Sequence, residues 1–284
     1  GHRRSCVTHS VATISFIFPS RLLSFRTRLF VFFATLLLTV FLLIRISPAL
    51  AAYNTDALKG FWKLDEGTGT SAADASGDGK TATLTGSPVW TTGKFINGLQ
   101  FNGSNYATTS VTWTDTGSIV LWAYPTSYTD WISPAGWKLL GATNGYALID
   151  EGGAGSPGRW RGVFRPNNSG NAEAAITASA TITQNTWNHL VLTWGLSGTT
   201  YTIKFYVNGS LQGTTTWVGT PGAGGRGVFH FGNAGDYPDN YFVGKVDDVR
   251  VYNRVLSQTE VTALANSLNT TATWAGGTST SWET

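Results

Sequence analysis

Cysteine is almost missing from this chain of 284 residues, and methionine is missing altogether. The one cysteine, Cys6, lies near the start, so whatever folds after it must be held together without disulfides. Charge is scarce too, with Asp, Glu, Lys and Arg together making 12% of the residues. Only four histidines are present. His2 and His9 precede the long apolar run, and His189 and His230 stand far apart. With no second cysteine and no paired histidines, the ligand spacing of a zinc site is absent. No Gly-x-Ser-x-Gly elbow accompanies the histidines, which excludes the common hydrolase triad.

Charge is also unevenly placed. Residues 1–28 hold Arg3, Arg4, Arg21, Arg26 and Arg28 without an acidic residue, and LFVFFATLLLTVFLLI (29–44) follows, the one long apolar run. Arg45 and SPALAA complete the pattern. A basic start, an apolar middle and an Ala-x-Ala at Ala49–Ala51 predict a signal peptide over 1–51 cut before Ala52, the alternative being an uncleaved anchor. At sixteen residues the run is shorter than the roughly 20 that span a bilayer. Beyond residue 51, 13 basic residues face 16 acidic ones, so the remainder carries 13 − 16 = −3. The net charge of +3 therefore belongs to the leader, and no basic patch argues for nucleic acid.

All twelve Trp fall after residue 51, among many Gly, Thr and Ser. β-branched and aromatic residues suit a pleated, half-buried surface, and Gly marks turns. In YTIKFYVNG (201–209), Tyr201, Ile203, Phe205 and Val207 share one face and Thr202, Lys204 and Tyr206 the other, ending in an Asn-Gly hairpin turn. SIVLWAYP (118–125) and WNHLVLTW (187–194) read as strands buried on both faces. One helix is expected over 256–268, with Ser257 and Glu260 spaced as a capping box and Val261, Leu264 and Leu268 on one face. Short strands at regular spacing predict an all-β, two-sheet antiparallel sandwich over 52–268. Residues 269–284 return to low complexity and read as a linker or the start of a further module.

Several segments together resemble the laminin-G-like jelly-roll domains of the concanavalin A-like lectin/glucanase superfamily. They are GFWKLDEGTGTSAADASGDGKTATLTG (60–86), GKFINGLQFNGSNYATT (93–109), SIVLWAYPT (118–126), TWNHLVLTWGLSGTTYTIKFYVNGSL (186–211) and GKVDDVRVYNRVLSQTEVTAL (244–264). The resemblance implies a jelly-roll β-sandwich of about twelve to fourteen strands on a secreted or cell-surface protein. It further implies a structural calcium ion and a glycan or a cell-surface or matrix protein as ligand, with no membrane contact for the mature domain.

The acidic residues bear on catalysis. Retaining hydrolysis needs two carboxylates about 5 Å apart, which on one strand means spacing of two or four. The doublets Asp65-Glu66, Asp150-Glu151 and Asp247-Asp248 have spacing one, which on a regular strand sends the side chains to opposite faces. The segment therefore reads as non-catalytic, a binding module. The alternatives are an accessory domain of a glycan-active enzyme and a structural spacer of an adhesin. DASGDG (74–79) places Asp74, Ser76 and Asp78 at alternate positions. That suits either an Asp/Gly turn or oxygen ligands for calcium, and the resemblance favours calcium. Alternation directs Asp247 inward with Val249 and Val251, where a cation or backbone N–H groups must meet it, and turns Asp248 to solvent beside Arg250. For stacking against sugars the candidates are Tyr128, Trp131, Trp137, Trp160, Tyr237 and Tyr241, with Trp131 and Trp137 in DWISPAGW read as loop.

Overall fold

The computed structural model divides the chain into two units, Gly1–Ser47 and Pro48–Thr284. It describes residues 57–112, 114–127, 132–138, 145–152, 158–167, 173–220, 227–233 and 241–267, all in the second unit. The side chains of residues 137 and 138 also lie outside the described set.

Among the described residues, sixteen strands and a helix follow one another. They are β1 Leu58–Trp62, β2 Ser71–Ala72, β3 Ala82–Thr85, β4 Val89–Thr92, β5 Asn97–Asn102, β6 Tyr106–Thr112, β7 Gly117–Pro125 and β8 Ile132–Lys138. Then come β9 Tyr146–Glu151, β10 Trp160–Arg165, β11 Ala174–Thr177, β12 Asn188–Ser197, β13 Thr200–Val207, β14 Ser210–Val218, β15 Val228–Phe231, β16 Val243–Tyr252 and α1 Gln258–Ala265. Two sheets result, and every strand pairing within them is antiparallel. Sheet A runs β14-β13-β12-β7-β16-β5-β4, with β1 also paired to β16, and sheet B runs β11-β10-β9-β8-β15-β6-β3-β2.

The period of two in the sequence explains the packing. Ile119, Leu121 and Ala123 of β7, Leu190, Leu192 and Trp194 of β12, and Tyr201, Ile203 and Phe205 of β13 point from sheet A into one core. Sheet B answers with Phe229 and Phe231 of β15 and Trp160 and Phe164 of β10. Trp62 lies between the sheets, 5.8 Å from Phe229 and 5.5 Å from Phe231 between ring centroids. Its indole donates to the Lys80 carbonyl at 2.9 Å, so the buried N–H is satisfied. Each such aromatic contributes about 1.5–3 kcal/mol by leaving water.

A second cluster lies on the outer face of sheet A, where Val120, Val191, Tyr206 and Tyr252 meet Leu58, Phe61, Leu256, Val261 and Leu264. Helix α1 thus covers part of that face. Its capping box forms as spaced: the Glu260 N–H donates to the Ser257 hydroxyl at 3.3 Å, and the Ser257 N–H to the Glu260 carboxylate at 2.8 Å. Leu268 lies outside the described residues. Asn208 and Gly209 take φ of 50° and 79°, the conformation of the expected hairpin turn.

Two expectations are corrected. ISPAGWK (132–138) is not a loop but strand β8, with the register broken between Ile132 and Ala135. Pro134 falls in that break, where a missing N–H costs no ladder bond. The other correction concerns β16, whose pairing with β7 slips between Asp247 and Arg250. Asp248 is the extra residue, with φ of 51°. The bulge resets the alternation: Asp247 stands opposite Trp122 of β7 and Arg250 opposite Val120, both on the outer face. Asp247 therefore does not point inward with Val249.

Candidate functional site

The outer face of sheet B carries the best candidate surface. Register sets a line across it: Thr108 of β6 pairs with His230 of β15, His230 with Gly136 of β8, Gly136 with Leu148 of β9, and Leu148 with Val163 of β10. At one end, Tyr106 stacks on His230 at 5.4 Å with the planes 13° apart, and Tyr241 leans on Tyr106 at 6.0 Å. Both tyrosines are half-buried. Gly136 is obligatory in the line, because a Cβ there would meet the Cβ of Leu148 at 2.5 Å.

At the other end, roughly 14 Å away over three strand spacings, the same face becomes charged. Arg161 Nε lies 3.2 Å from Asp150 Oδ1, and Arg161 Nη2 is 3.1 Å from Glu173 Oε1. The Tyr146 hydroxyl donates to Glu173 Oε2 at 2.7 Å. Burial first, and then Glu173, raise the pKa of that phenol, so it stays a donor. Asp150 and Arg161 are buried, at 2% and 7% exposed, so they hold Glu173 and Tyr146 in place. These two, with the aromatic pair three strands away, are what the face presents to an extended polyhydroxylated chain, rings for its C–H groups and polar atoms for its hydroxyls.

Of the residues singled out from the sequence, Tyr241 belongs to this surface, joined through an isolated bridge to Ser133 at the start of β8. That bridge ties together the described ends of the segments containing Tyr128 and Trp131 on one side and Tyr237 on the other; these three lie outside the described residues. Trp137 sits on β8 opposite Ala147. Trp160 is corrected: it is 2% exposed and packs 6.5 Å from Phe242 in the core, offering no ring to a ligand. His230 and Asp150 were weighed only for catalysis or zinc, and Tyr106, Arg161 and Glu173 were not singled out. Tyr106 and His230 meet through β6–β15 pairing, which no local sequence pattern encodes.

The proposed metal ligands occupy separate places. In DASGDG, Asp74 Oδ1 accepts the N–H groups of Phe61 at 2.9 Å and Ser76 at 2.8 Å, while Oδ2 accepts the Ser76 hydroxyl and the Lys80 N–H, both at 2.8 Å. Burial alone would raise this carboxyl, but the N–H donors of Lys80, Ser76 and Phe61 hold it below the ordinary value. Hydrogen atoms thus occupy the directions a hard cation would need, and the donor set fits a turn that ties β1 to its neighbour, not calcium. Asp78 instead pairs with Lys59 at 3.1 Å on the surface. Among the described residues, no three His, Cys, Asp or Glu gather as a metal site.

Asp247 is fully buried. Its Oδ2 accepts the Phe95 N–H at 3.0 Å, clamping the turn between β4 and β5, and Oδ1 has no hydrogen-bond partner. Burial pushes this carboxyl up to about 8, with Phe95 opposing and Asp248 adding to the rise. Asp248 does not face solvent: it is 8% exposed and meets the Arg250 guanidinium through both oxygens at 3.0 Å. Arg250 also lies 4.3 Å over the Phe61 ring. The bulge has therefore brought the two carboxylates near each other, against the expectation of opposite faces, and both are buried. His189 is buried in the row with Asp247 and Trp122. Burial, then Arg250 and Lys94, push its pKa down to about 3, so it is neutral.

A family model described as the concanavalin A-like lectin/glucanases superfamily matches residues 100–262, over half of the chain. The chain belongs to this superfamily. No curated protein matches it. Among solved structures, this lectin/glucanase fold is similar to domain 4 of an extracellular family 43 arabinanase from Geobacillus stearothermophilus, determined with arabinotriose. The identity is 20% and the TM-score 0.59, over 74% of this chain and 98% of that one. It is also similar to the binding domain of Paraclostridial mosquitocidal protein 1 at 16% identity and TM-score 0.56, over 75% and 52%. The third is botulinum neurotoxin type C, whose cell entry depends on two ganglioside molecules, at 16% and 0.55, over 76% and 52%. The chain spans about half the length of these two toxin structures. At these identities the likeness establishes the jelly-roll sandwich itself.

Proposed function

We propose that this chain is a secreted or surface-displayed, non-catalytic module that binds a glycan on the outer face of sheet B. One observation carries the reading: the Tyr106–His230–Tyr241 stack lies on the same face as the Asp150–Arg161–Glu173 row. A neutral saccharide needs both an apolar platform and oriented polar atoms; here the buried Asp150–Arg161 pair holds the exposed Glu173 and the half-buried Tyr146 in place before a ligand arrives. The arabinanase domain seen with arabinotriose lends support, as a sandwich of this kind holding an oligosaccharide. Non-catalytic action is supported by the buried state of Asp247 and by the engagement of Asp248 with Arg250. No helix among the described residues is long and apolar enough to cross a membrane.

The test is a glycan array with the full chain, followed by titration of the best neutral ligand, with arabinotriose as the first probe. Tyr106→Ala and Tyr241→Ala should each weaken binding about tenfold, since stacking contributes about 1 kcal/mol or more. An array without signal removes the glycan reading and leaves a spacer. Binding that survives both substitutions moves the site elsewhere. Calcium has no part in the proposed recognition, so chelator should leave affinity unchanged.

A further inference from the structure

The outer face of sheet A holds a second row that neither the core nor helix α1 uses. Register aligns Val89 of β4 with Gln100 of β5, Gln100 with Lys245 of β16, and Lys245 with Tyr124 of β7. The line is roughly 14 Å long over three strand spacings, and Trp187 extends it, its ring 5.3 Å from that of Tyr124. Each of these residues is exposed or half-exposed. Lys245 reaches over the Tyr124 ring at 5.4 Å while donating to the Thr92 carbonyl at 3.3 Å. One row further along β7, the exposed Lys94 stands 4.3 Å over Trp122.

The charge balance of this patch has one sign. Its two ammonium groups touch rings and a carbonyl, not carboxylates. The carboxylates near the turn are Asp247, buried beneath it, and Asp65, which accepts from the Asn97 N–H on the neighbouring strand. Two inclined aromatic rings, Tyr124 and Trp187, with the Lys245 ammonium held over Tyr124 match a ligand that is flat on one side and anionic at its edge. A uronic acid is such a unit. Its pyranose face can lie on Trp187 or Tyr124 while its carboxylate meets Lys245.

From this we infer that the outer face of sheet A is a second binding surface, for a uronate-bearing saccharide, separate from the sheet B face. The aromatic pair supplies stacking, Lys245 the charge contact, Gln100 an amide for hydroxyl groups, and Lys94 a second charge one row away.

The full chain is titrated with tetragalacturonate and with its fully methyl-esterified form, which keeps the rings and removes the charge. Expected are binding of the acid form that weakens with added salt, loss on esterification, and about tenfold weaker binding in both Trp187→Ala and Lys245→Gln. The double variant Tyr106→Ala/Tyr241→Ala should bind tetragalacturonate as the wild type does, whatever it does to a neutral glycan. No binding of the acid form, equal binding of the ester, or a loss confined to the sheet B variant would each overturn the inference. Should Trp187→Ala misfold, Lys245→Gln alone decides the matter, since that side chain is surface-mounted.

Discussion

Asp247 and His189 belong to one row and push stability in opposite directions with pH. Burial raises the Asp247 carboxyl to about 8 from an unfolded value near 4. Its contribution is therefore fully present below about 4 and is lost as pH rises toward 8. His189 is depressed to about 3 from about 6.5, so its contribution is lost as pH falls through that interval. Melting temperatures of Asp247→Asn, measured from pH 4 to 9 beside the wild type, should show the variant gaining relative to the wild type as pH rises; parallel curves would mean that Asp247 titrates normally. Asp248 presents a different case. Removing it in Asp248→Ala leaves the buried Arg250 guanidinium without its bidentate partner, at a cost of about 3 kcal/mol. Denaturant unfolding measures this directly, and a cost below 1 kcal/mol would return the pair to the surface, where alternation had put it.

At the scale of elements, the β16 bulge separates what was legible in the sequence from what was not. The alternation of β13, the Asn208-Gly209 turn and the capping box of α1 are local patterns, set by residues a few positions apart, and each appears where the spacing directs. A bulge is visible only against its partner strand. One extra residue in VDDVRV was therefore enough to turn Asp247 to the outer face and to bring it near Asp248. DASGDG was ambiguous for the same reason, because two of the N–H donors that fill Asp74, on Phe61 and Lys80, lie outside the local Asx turn. Trp160 was misjudged because aromatic content alone does not tell core from surface. The turn clamped by Asp247 makes its own prediction. A Cβ on Gly93 would collide with the Asn97 carbonyl and come within 2.6 Å of Asp247 Oδ2. Gly93→Ala should lower stability by about 2 kcal/mol or more, whereas Gly77→Ala meets no atom and should cost less, through its φ of 93° alone. Thermal melts of the two variants side by side decide between them.

For the molecule as a whole, cohesion comes from the aromatic core. Deleting its centre in Trp62→Ala should cost about 3–5 kcal/mol, a large share of the roughly 5–15 kcal/mol that an ordinary domain has. Such a variant should unfold at markedly lower denaturant than the wild type. The metal question is also put to the test at this scale. A ligand that binds only the folded state must raise the melting temperature, and with Asp74 filled by N–H and O–H donors, chelator should leave the melt of the full chain unshifted. A drop of several degrees would locate a cation elsewhere in the sandwich.

The pairing of β1 with β16 has a consequence for how the molecule is made. Leu58 lies opposite Tyr252, so the first strand of the sandwich finds its partner only in the last. Synthesised from its N-terminus, the domain cannot close either sheet's shared core until β16 has left the ribosome. Until then it is a chain rich in exposed strands that must be kept from pairing with its neighbours. Such a chain is also still threadable, so the secretion proposed above would meet no folded obstacle before the final strand was made.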